Sequence, residues 1–382
     1  MPYDVVNSSE AAELAQGSPW SFLHVVRPEI GLPAGTDLYD DVVYEAARAN
    51  LERWIAEVPY SAGDPSMLVY RLVQDGRAQI GVVGGCSIDE YDAGVIAIHE
   101  RTRQAKEDDR TRHVVTMRCQ AEPIFLAYRA TVAIDRLVAD ICAGTPEVDF
   151  VAADGVRHSL WTVPDPDAIT SAFEAVPRLY VADGHHRTKS ASRARATLAA
   201  GDPDHDGTEP YNSVLSVVFP DSQLEILPYN RVVTDLGGRT PADVADELVR
   251  RFGAVRTDEP SPDRRHCFCF YADGSWYRLR IDPDGDAGPI DGLDVSLLQD
   301  TILAPLFGVS DPRTDTRLDF VGGSRGTGEL ERRADRVGGV AFSLFATSLE
   351  ELFTVADAGE IMPPKSTWFE PKLRSGLVLH RI

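Results

Sequence analysis

The segment from residue 183 to 190 concentrates side chains that bind and transfer phosphate groups. It reads Asp183-Gly184-His185-His186-Arg187-Thr188-Lys189-Ser190. The apolar stretch Leu179–Ala182 before it predicts a strand, and Arg187–Ala200 after it predicts a helix that ends at Gly201. A strand that turns through a glycine into a helix directs backbone N–H groups at the turn, where they favour an anion. The sequence therefore predicts an anion-binding turn.

The side chains of this turn can serve a phosphate group in different ways. Gly184 has no Cβ, so the backbone can approach a ligand closely. Arg187 and Lys189 supply a guanidinium fork and an ammonium group, and Thr188 supplies a hydroxyl. His186 can donate a hydrogen bond to a phosphoryl oxygen or carry a proton near neutral pH. The turn is not a Walker A loop, because G-x-x-x-x-G-K-[ST] is absent.

Two other interpretations of the turn stay open. Asp183 could cap the helix, with the two histidines incidental. Alternatively, Asp183, His185 and His186 could bind a metal ion. Adjacent helical side chains diverge in direction, which makes it awkward for both histidines to reach one ion.

A second polar cluster, His99-Glu100-Arg101-Thr102, follows the apolar stretch Val95–Ile98. A carboxylate at the exit of a buried strand is a position where a general base is expected, which makes Glu100 a candidate. The alternative is a solvated, charged helix, and the residues alone do not decide between the two. The pattern is not H-E-x-x-H, which excludes a zinc protease.

A third cluster, Met362–Lys372, has the sequence M-P-P-K-S-T-W-F-E-P-K. Its prolines hold the segment extended. Lys365 and Lys372 could bring cations to an anionic pocket, together with the hydroxyl of Ser366. The segment could equally be a strap that packs Trp368 and Phe369 on the core.

Positioning these clusters requires a large fold. A chain of 382 residues exceeds one typical compact core. We predict a catalytic lobe in residues 1–235 and an α/β lobe in residues 236–382, with the third cluster returning to the site. Two-residue Asp-Gly turns at Asp75-Gly76 and Asp273-Gly274 predict β-hairpins. The stretches Val214–Phe219 and Ile226–Val233 are predicted to form paired strands.

Bulk properties exclude several classes of function. The net charge of −22 opposes a nucleic-acid partner. Apolar runs are far shorter than the ~20 residues of a membrane span, so no membrane partner is expected. Five cysteines without a C-x-x-C motif predict reduced thiols in a cytoplasmic protein.

Taken together, these segments resemble the bacterial and archaeal family called domain of unknown function 1015, essentially end to end. The matching segments are Pro2–Val6, Ser21–Val25, the H-E-x-T run, Lys106–Arg110, Pro123–Phe125 with Tyr128, Ala182–Arg187 and Met362–Leu377. Family members usually carry a strand before P-Y-D-V that is absent here, so the start is expected to be truncated or misassigned. They also tend to have asparagine at the position of Gln120.

The D-G-H-H-R turn is further similar to the D-G-x-H-R turn of ParB-like and sulfiredoxin-like folds. In sulfiredoxin and in the free-serine kinases of that fold, this turn binds nucleotide phosphates. The resemblance implies an α+β fold with a ParB/sulfiredoxin-like phosphate-binding core, elaborated by additional strands and a second lobe. It also implies that a nearby carboxylate, for which Glu100 is the candidate, deprotonates a small hydroxyl acceptor.

The residues and the resemblance together predict a set of site residues. Those predicted to be catalytic are Glu100, His186 and Asp183. Those predicted to bind phosphate or nucleotide are Gly184, His185, Arg187, Thr188, Lys189, Arg110, Lys365, Ser366 and Lys372. Those predicted to bind the substrate are Tyr3, Asp4, His99 and Thr102. Mg²⁺ is expected, with Asp183 and Asp4 as its ligands, because it prefers hard oxygen ligands.

The function favoured by the resemblance is a small-molecule phosphotransferase. It would phosphorylate free L-serine to O-phosphoserine with ATP, ADP or pyrophosphate as donor. A phosphatase acting on phosphoserine or a similar metabolite uses the same residues and stays open. A nucleotide- or metabolite-binding regulatory protein without turnover is the third hypothesis. The expected partner is a small molecule, and a homodimer is left open.

Overall fold

The computed structural model describes residues 3, 5–58, 66–285 and 287–382. The fold is mixed α+β, as predicted. Its helices are α1 Ser8–Ala15, α2 Leu23–Val26, α3 Asp41–Glu57, α4 Ile88–Asp92, α5 Gln104–Met117, α6 Val132–Cys142, α7 Pro166–Phe173, α8 His185–Ala200, α9 Pro241–Phe252, α10 Asp294–Leu298, α11 Ala304–Phe307, α12 Gly326–Val337 and α13 Leu349–Asp357. None of the described helices is long and apolar enough to cross a membrane.

The strands are interspersed among these helices along the chain. They are β1 Leu68–Gln74, β2 Arg77–Ser87, β3 Ile96–Ala97, β4 Cys119–Gln120, β5 Ile124–Tyr128, β6 Val148–Val151, β7 Arg157–Thr162, β8 Leu179–Asp183, β9 Ser213–Pro220, β10 Ile226–Leu227, β11 Tyr229–Val233, β12 Val255–Arg256, β13 Cys267–Ala272, β14 Ser275–Arg280, β15 Leu318–Gly322, β16 Val340–Leu344, β17 Trp368–Phe369 and β18 His380–Arg381. Both predicted Asp-Gly hairpins are confirmed, as β1–β2 and β13–β14.

The chain divides into two compact units. The first contains residues up to Ile98, Thr102–Leu224 and Pro371–Ile382, and the second contains His99–Arg101 and Glu225–Glu370. The predicted division at residue 235 separates two lobes that would each fold independently. That division stays a prediction, which limited proteolysis would test.

The first unit is built on an eight-stranded sheet in the order β3-β8-β5-β9-β2-β1-β7-β6. Strand β8 is parallel to β3 and antiparallel to β5. Strand β5 is fully buried, and β8 is buried along its middle, so both are rich in apolar residues. This part of the sheet ends at Asp183 and fixes where α8 begins.

The second unit contains a six-stranded antiparallel sheet in the order β12-β14-β13-β16-β11-β15. Its central strands β13 and β16 are buried throughout, with Phe268, Phe270 and Phe342 fully enclosed. Burial of such large aromatic side chains is a main source of stability in a core of this kind. A short two-stranded sheet, β10 with β17, belongs to the same unit.

The predicted pairing of Val214–Phe219 with Ile226–Val233 is wrong. Strand β9 instead pairs with β2 and β5 in the first unit. The second stretch is divided at Pro228 into β10, which pairs with β17, and β11, which pairs with β15 and β16. Proline has no N–H to donate to a strand ladder, so it interrupts the run.

A buried histidine links α5 to α2. The Nε2 atom of His113 lies 3.1 Å from the carbonyl oxygen of Val25, and the side chain is almost fully enclosed. Burial, reinforced by the charge of Arg110, lowers the pKa of His113 from 6.5 to about 3. His113 is therefore neutral in the folded protein at physiological pH, and Nε2–H donates to the Val25 carbonyl.

We expect His113 to make the fold sensitive to mild acid. Between pH 6.5 and about 3 the unfolded chain binds a proton at this position and the folded chain does not. The free energy of unfolding therefore decreases as the pH is lowered through this range. The loss at pH 5 is about 2 kcal/mol relative to pH 7. His113→Gln keeps a hydrogen-bond donor and should remove this share of the pH dependence in urea unfolding at the two pH values. His205→Gln, at an exposed position, is the control; equal pH dependence in wild type and His113→Gln would contradict the assignment.

Candidate functional site

The turn between β8 and α8 is centred on Gly184. Gly184 is the N-cap of α8, with φ of 99° and ψ of 27°, a left-handed conformation that suits glycine. Its carbonyl oxygen accepts hydrogen bonds from the backbone N–H (2.9 Å) and the hydroxyl (3.0 Å) of Thr188. The helix begins at His185, two residues earlier than predicted. Asp183 does not cap it, because no side chain bonds to the first turn from the N-cap.

Asp183 instead forms ion pairs with two cations. Its Oδ2 atom lies 3.4 Å from Nη2 of Arg187 and 3.5 Å from Nζ of Lys372. Burial alone would raise the pKa of Asp183, but the positive charges of Lys372 and Arg187 outweigh it and lower the pKa well below its usual range. Asp183 is therefore ionised at physiological pH, and its lowered pKa makes it a weaker proton acceptor than an ordinary carboxylate. Its predicted catalytic role stays a prediction. Its chemistry is that of a charge partner or a cation ligand.

Arg187 is held on two sides. Its Nη1 atom donates to the carbonyl oxygen of Pro123 at 2.5 Å, just before β5, while Nη2 faces Asp183. A Cβ placed on Gly184 would lie 3.1 Å from the Arg187 guanidinium. Glycine is therefore needed here both for its backbone conformation and for the space that Arg187 occupies.

Gly184→Ala should weaken anion binding as well as stability. The left-handed backbone alone costs about 1–2 kcal/mol for alanine, and the new methyl group should also displace the Arg187 guanidinium. Gly207→Ala is a matched control, because Gly207 has φ of 94° and a Cβ added there would meet nothing within 4 Å. Thermal unfolding and pyrophosphate titration of both variants would separate the two effects. Equal pyrophosphate affinity in the two variants would contradict the role given to the close approach at Gly184.

The two histidines of the turn differ in their surroundings. His186 Nε2 accepts a hydrogen bond of 3.0 Å from the backbone N–H of Arg103, which fixes the ring proton on Nδ1. His185 is buried, and burial lowers its pKa to about 3. At physiological pH His185 is therefore a neutral hydrogen-bonding group and adds no positive charge.

The three-ligand metal interpretation of the turn is not supported. Across residues 3, 5–58, 66–285 and 287–382, no group of three or more His, Cys, Asp or Glu side chains is arranged to hold a metal ion. Asp183 is the predicted Mg²⁺ ligand that the structure describes, and Asp4 lies outside the described residues. One carboxylate fits an ion that arrives with a phosphate ligand, because Mg²⁺ usually keeps waters and takes phosphate oxygens.

The remaining polar residues of α8 face other partners. The Thr188 hydroxyl donates to Gly184 within the helix, and Lys189 Nζ lies 6.0 Å from the centre of the Tyr91 ring on α4. The roles of Thr188 and Lys189 in phosphate binding stay predictions. Phosphate binding by Arg187 and Lys372 likewise stays a prediction.

Arg110 lines a small cavity together with Arg187. The cavity has a volume of about 30 Å³ and lies between α5, α8 and the start of β5. The Arg110 guanidinium is buried, pairs through Nε with Asp109 at 2.9 Å and stacks on the ring of Tyr3 at 4.3 Å. Its Nη1 atom has no hydrogen-bond partner among the described residues. Two residues predicted to bind phosphate, 77 positions apart in sequence, thus share one cavity.

Glu122 completes this cavity and was missed by the sequence analysis. Its Oε1 atom accepts hydrogen bonds from the backbone N–H of Tyr3 at 2.8 Å and from the hydroxyl of Ser375 at 3.3 Å. The available signal was its position, immediately before Pro123 and the buried strand β5. A carboxylate at the start of a buried strand is unusual enough to merit attention.

The second polar cluster is divided between the units. His99 and Glu100 belong to the second unit, where His99 Nε2 lies 3.3 Å from the Thr367 hydroxyl and the His99 carbonyl accepts from Met362 N–H. Thr102 belongs to the first unit, and its hydroxyl donates to Glu107 at the start of α5. The roles of His99, Glu100 and Thr102 stay predictions.

The third cluster is divided in the same way. Lys365 lies in the second unit with its Nζ 5.4 Å from the centre of the Tyr229 ring, and the Ser366 hydroxyl donates to Pro363. Lys372 lies in the first unit against Asp183. The predicted return of the P-P-K-S-T strap to the site stays a prediction.

Comparison with solved structures found matches of low similarity. A C-terminally truncated SbnI from Staphylococcus aureus is 13% identical, with a TM-score of 0.41, and the match covers 77% of this chain and 85% of that chain. A free serine kinase in complex with AMP is 14% identical, with a TM-score of 0.37. The match covers 75% of this chain and 86% of that chain. A mutant of a free serine kinase in complex with ADP is also 14% identical, with a TM-score of 0.37. This match covers 75% of this chain and 87% of that chain.

The sequence comparisons give the family. No curated protein matches the chain significantly. The family model described as protein of unknown function (DUF1015) matches residues 1–296. This match covers most of the 382 residues and includes the β8–α8 turn. The chain belongs to the DUF1015 family.

Proposed function

We propose that this protein is a small-molecule phosphotransferase whose donor phosphate binds at the β8–α8 turn. The observation that carries the proposal is that Arg187 and Lys372 both pair with Oδ2 of Asp183, next to the N-terminus of α8. Both cations and the helix dipole favour an anion at this point. The protein has a net charge of −22, so two cations at one point favour a specific anionic ligand there.

Phosphoryl transfer needs mainly positioning and neutralisation of charge. Arg187 is anchored by the Pro123 carbonyl, so its guanidinium is oriented before the ligand arrives. Lys372 has a flexible side chain and can move its ammonium group from Asp183 to a phosphate oxygen. His186, with its proton on Nδ1, can donate a further hydrogen bond.

The proposed acceptor is free L-serine, and the proposed product is O-phosphoserine. This choice follows from the resemblance of the D-G-H-H-R sequence to the turn of free-serine kinases, because the structural likenesses are too distant to transfer an activity. Glu100 is the proposed base for the serine hydroxyl. Asp183 is a weaker proton acceptor, since the positive charges of Lys372 and Arg187 lower its pKa.

Mg²⁺ is the proposed cofactor, with Asp183 as its protein ligand. The ion would neutralise charge on the donor phosphates as the phosphoryl group leaves. The proposed donors are ATP, ADP and pyrophosphate, each of which presents a phosphoanhydride.

A phosphorus NMR assay tests the proposal. Folded protein is incubated with L-serine, Mg²⁺ and each donor in turn, and with O-phosphoserine alone. The proposal predicts an O-phosphoserine resonance that grows as one donor is consumed. Release of phosphate from O-phosphoserine without a donor would establish a phosphatase instead. Thermal stabilisation by a donor without any product would favour a binding protein. Either of these results would overturn the kinase proposal.

A further inference from the structure

A larger pocket lies in the first unit. Its volume is about 370 Å³. Its apolar lining comprises Leu14 of α1, Phe22 and Leu23, and Ala152 and Ala153 in the turn after β6. Pockets of about 300–1,000 Å³ with mostly apolar walls are typical of sites for organic ligands. None of the residues predicted from sequence to be in the site lines this pocket.

The polar residues of the pocket come from the segment that carries Lys372. Arg374 and Ser375 line the pocket, two and three positions after the lysine that pairs with Asp183. Three residues of extended chain span at most about 11 Å. The backbone of Ser375, which lines the pocket, is therefore at most about 11 Å from that of Lys372, which pairs with Asp183.

The segment from Lys372 to Gly376 is fixed by contacts at several residues. These contacts hold the pocket and the turn in a constant position relative to each other. Arg374 donates from Nε to His158 at 3.1 Å and pairs with Asp154. Gly376 N–H donates to the Ala121 carbonyl at 2.8 Å, and a Cβ at Gly376 would overlap the ring of Phe22. Ser375 bonds to Glu122, which lines the small cavity shared by Arg110 and Arg187.

The chemistry of the walls selects a class of ligand. The apolar side chains suit an uncharged ring system, and the hydroxyls of Ser21 and Ser375 can bond to sugar hydroxyls or ring nitrogens. The charges of Arg374 and Asp154 are paired with each other, so the pocket offers no surplus charge to a small zwitterion. The volume is also far larger than a three-carbon amino acid needs.

We propose that this pocket binds the nucleoside part of the phosphate donor, so that the donor is a nucleotide and not inorganic pyrophosphate. The inference rests on the proposed function, since it takes the phosphates to lie at the β8–α8 turn. The nucleoside lies against Phe22 and Ala153, and Ser375, which also lines the pocket, is three positions after Lys372.

Calorimetric titration of wild type and Ala153→Trp with ADP and with pyrophosphate tests the inference. Ala153 is exposed, and its turn is closed by the backbone bonds Gly155 N to Ala152 O and Ala152 N to Val156 O, both 2.9 Å, so a large side chain can be accepted there. Wild type should bind ADP at least about tenfold more tightly than pyrophosphate. Ala153→Trp should lose most of that advantage and bind pyrophosphate as wild type does.

Two further variants keep the test decisive. Ala153→Ser changes the same position without filling the pocket and should bind both ligands as wild type does. Leu14→Trp, at another lining side chain that is 57% exposed, replaces Ala153→Trp if that variant does not fold. The inference is overturned if wild type binds ADP no more tightly than pyrophosphate, or if filling the pocket leaves ADP affinity unchanged. Pyrophosphate binding that still depends on Arg187 would then leave the proposed function intact, whereas its independence of Arg187 would refute that function.

Discussion

Glu100→Gln is expected to lower turnover by about 10²–10⁴-fold, the usual contribution of a general base, while the affinity for the donor stays nearly unchanged. Glutamine keeps the shape and a hydrogen-bonding oxygen of glutamate but cannot accept the proton of the serine hydroxyl. The measurement is kcat for O-phosphoserine formation, together with donor binding by calorimetry. A selective loss of kcat is the signature of a group that acts in the chemical step.

Glu360→Gln is the control for this change. Glu360 is an exposed carboxylate after α13 in the same unit as Glu100, and its substitution should leave kcat and donor affinity as they are. Full activity in Glu100→Gln would show that another group is the base. A parallel loss of donor affinity would place Glu100 in binding instead.

Arg187→Ala is expected to weaken pyrophosphate binding by about 1.5–3 kcal/mol, the scale of a charge-assisted hydrogen bond. This corresponds to a dissociation constant roughly 10–150-fold higher. The physical reason is the loss of a pre-oriented guanidinium that is anchored to the Pro123 carbonyl. Arg187→Lys keeps the charge but loses the planar fork, so its affinity should fall between those of wild type and alanine.

Arg195→Ala is the matched control for Arg187→Ala. Arg195 lies on the same helix, where it pairs with Asp89 and Asp92, about 12 Å along the axis from Arg187. Its removal should leave pyrophosphate affinity unchanged. Unfolding curves of both variants are needed, because Arg187 is buried and its loss also affects stability. Wild-type affinity in folded Arg187→Ala would refute the phosphate role of the turn.

The parts of the site that are local in sequence were predictable. A strand, a glycine and a basic helix start within Leu179–Arg187 set the turn, because each acts over a few residues. The two Asp-Gly hairpins are similar cases, since a two-residue turn with positive φ at both positions fixes the pairing of its flanking strands.

The parts that depend on distant contacts were not predictable in the same way. Lys372 meets Asp183 across 189 positions, and the sequence alone offered a core-packing strap as an equal alternative. The partners of β9 depend on the whole sheet, and the proximity of β10 along the chain suggested the wrong one. The cavity shared by Arg110 and Arg187 likewise arises from the packing of α5 against α8.

A crystal structure of the protein with pyrophosphate and Mg²⁺ tests the central claim most directly. We predict the anion at the N-terminus of α8, within hydrogen-bonding distance of Arg187, with the Lys372 ammonium moved from Asp183 towards a phosphate oxygen. An anion bound elsewhere, with the pair between Lys372 and Asp183 at its present 3.5 Å and no ligand at the turn, would contradict this prediction.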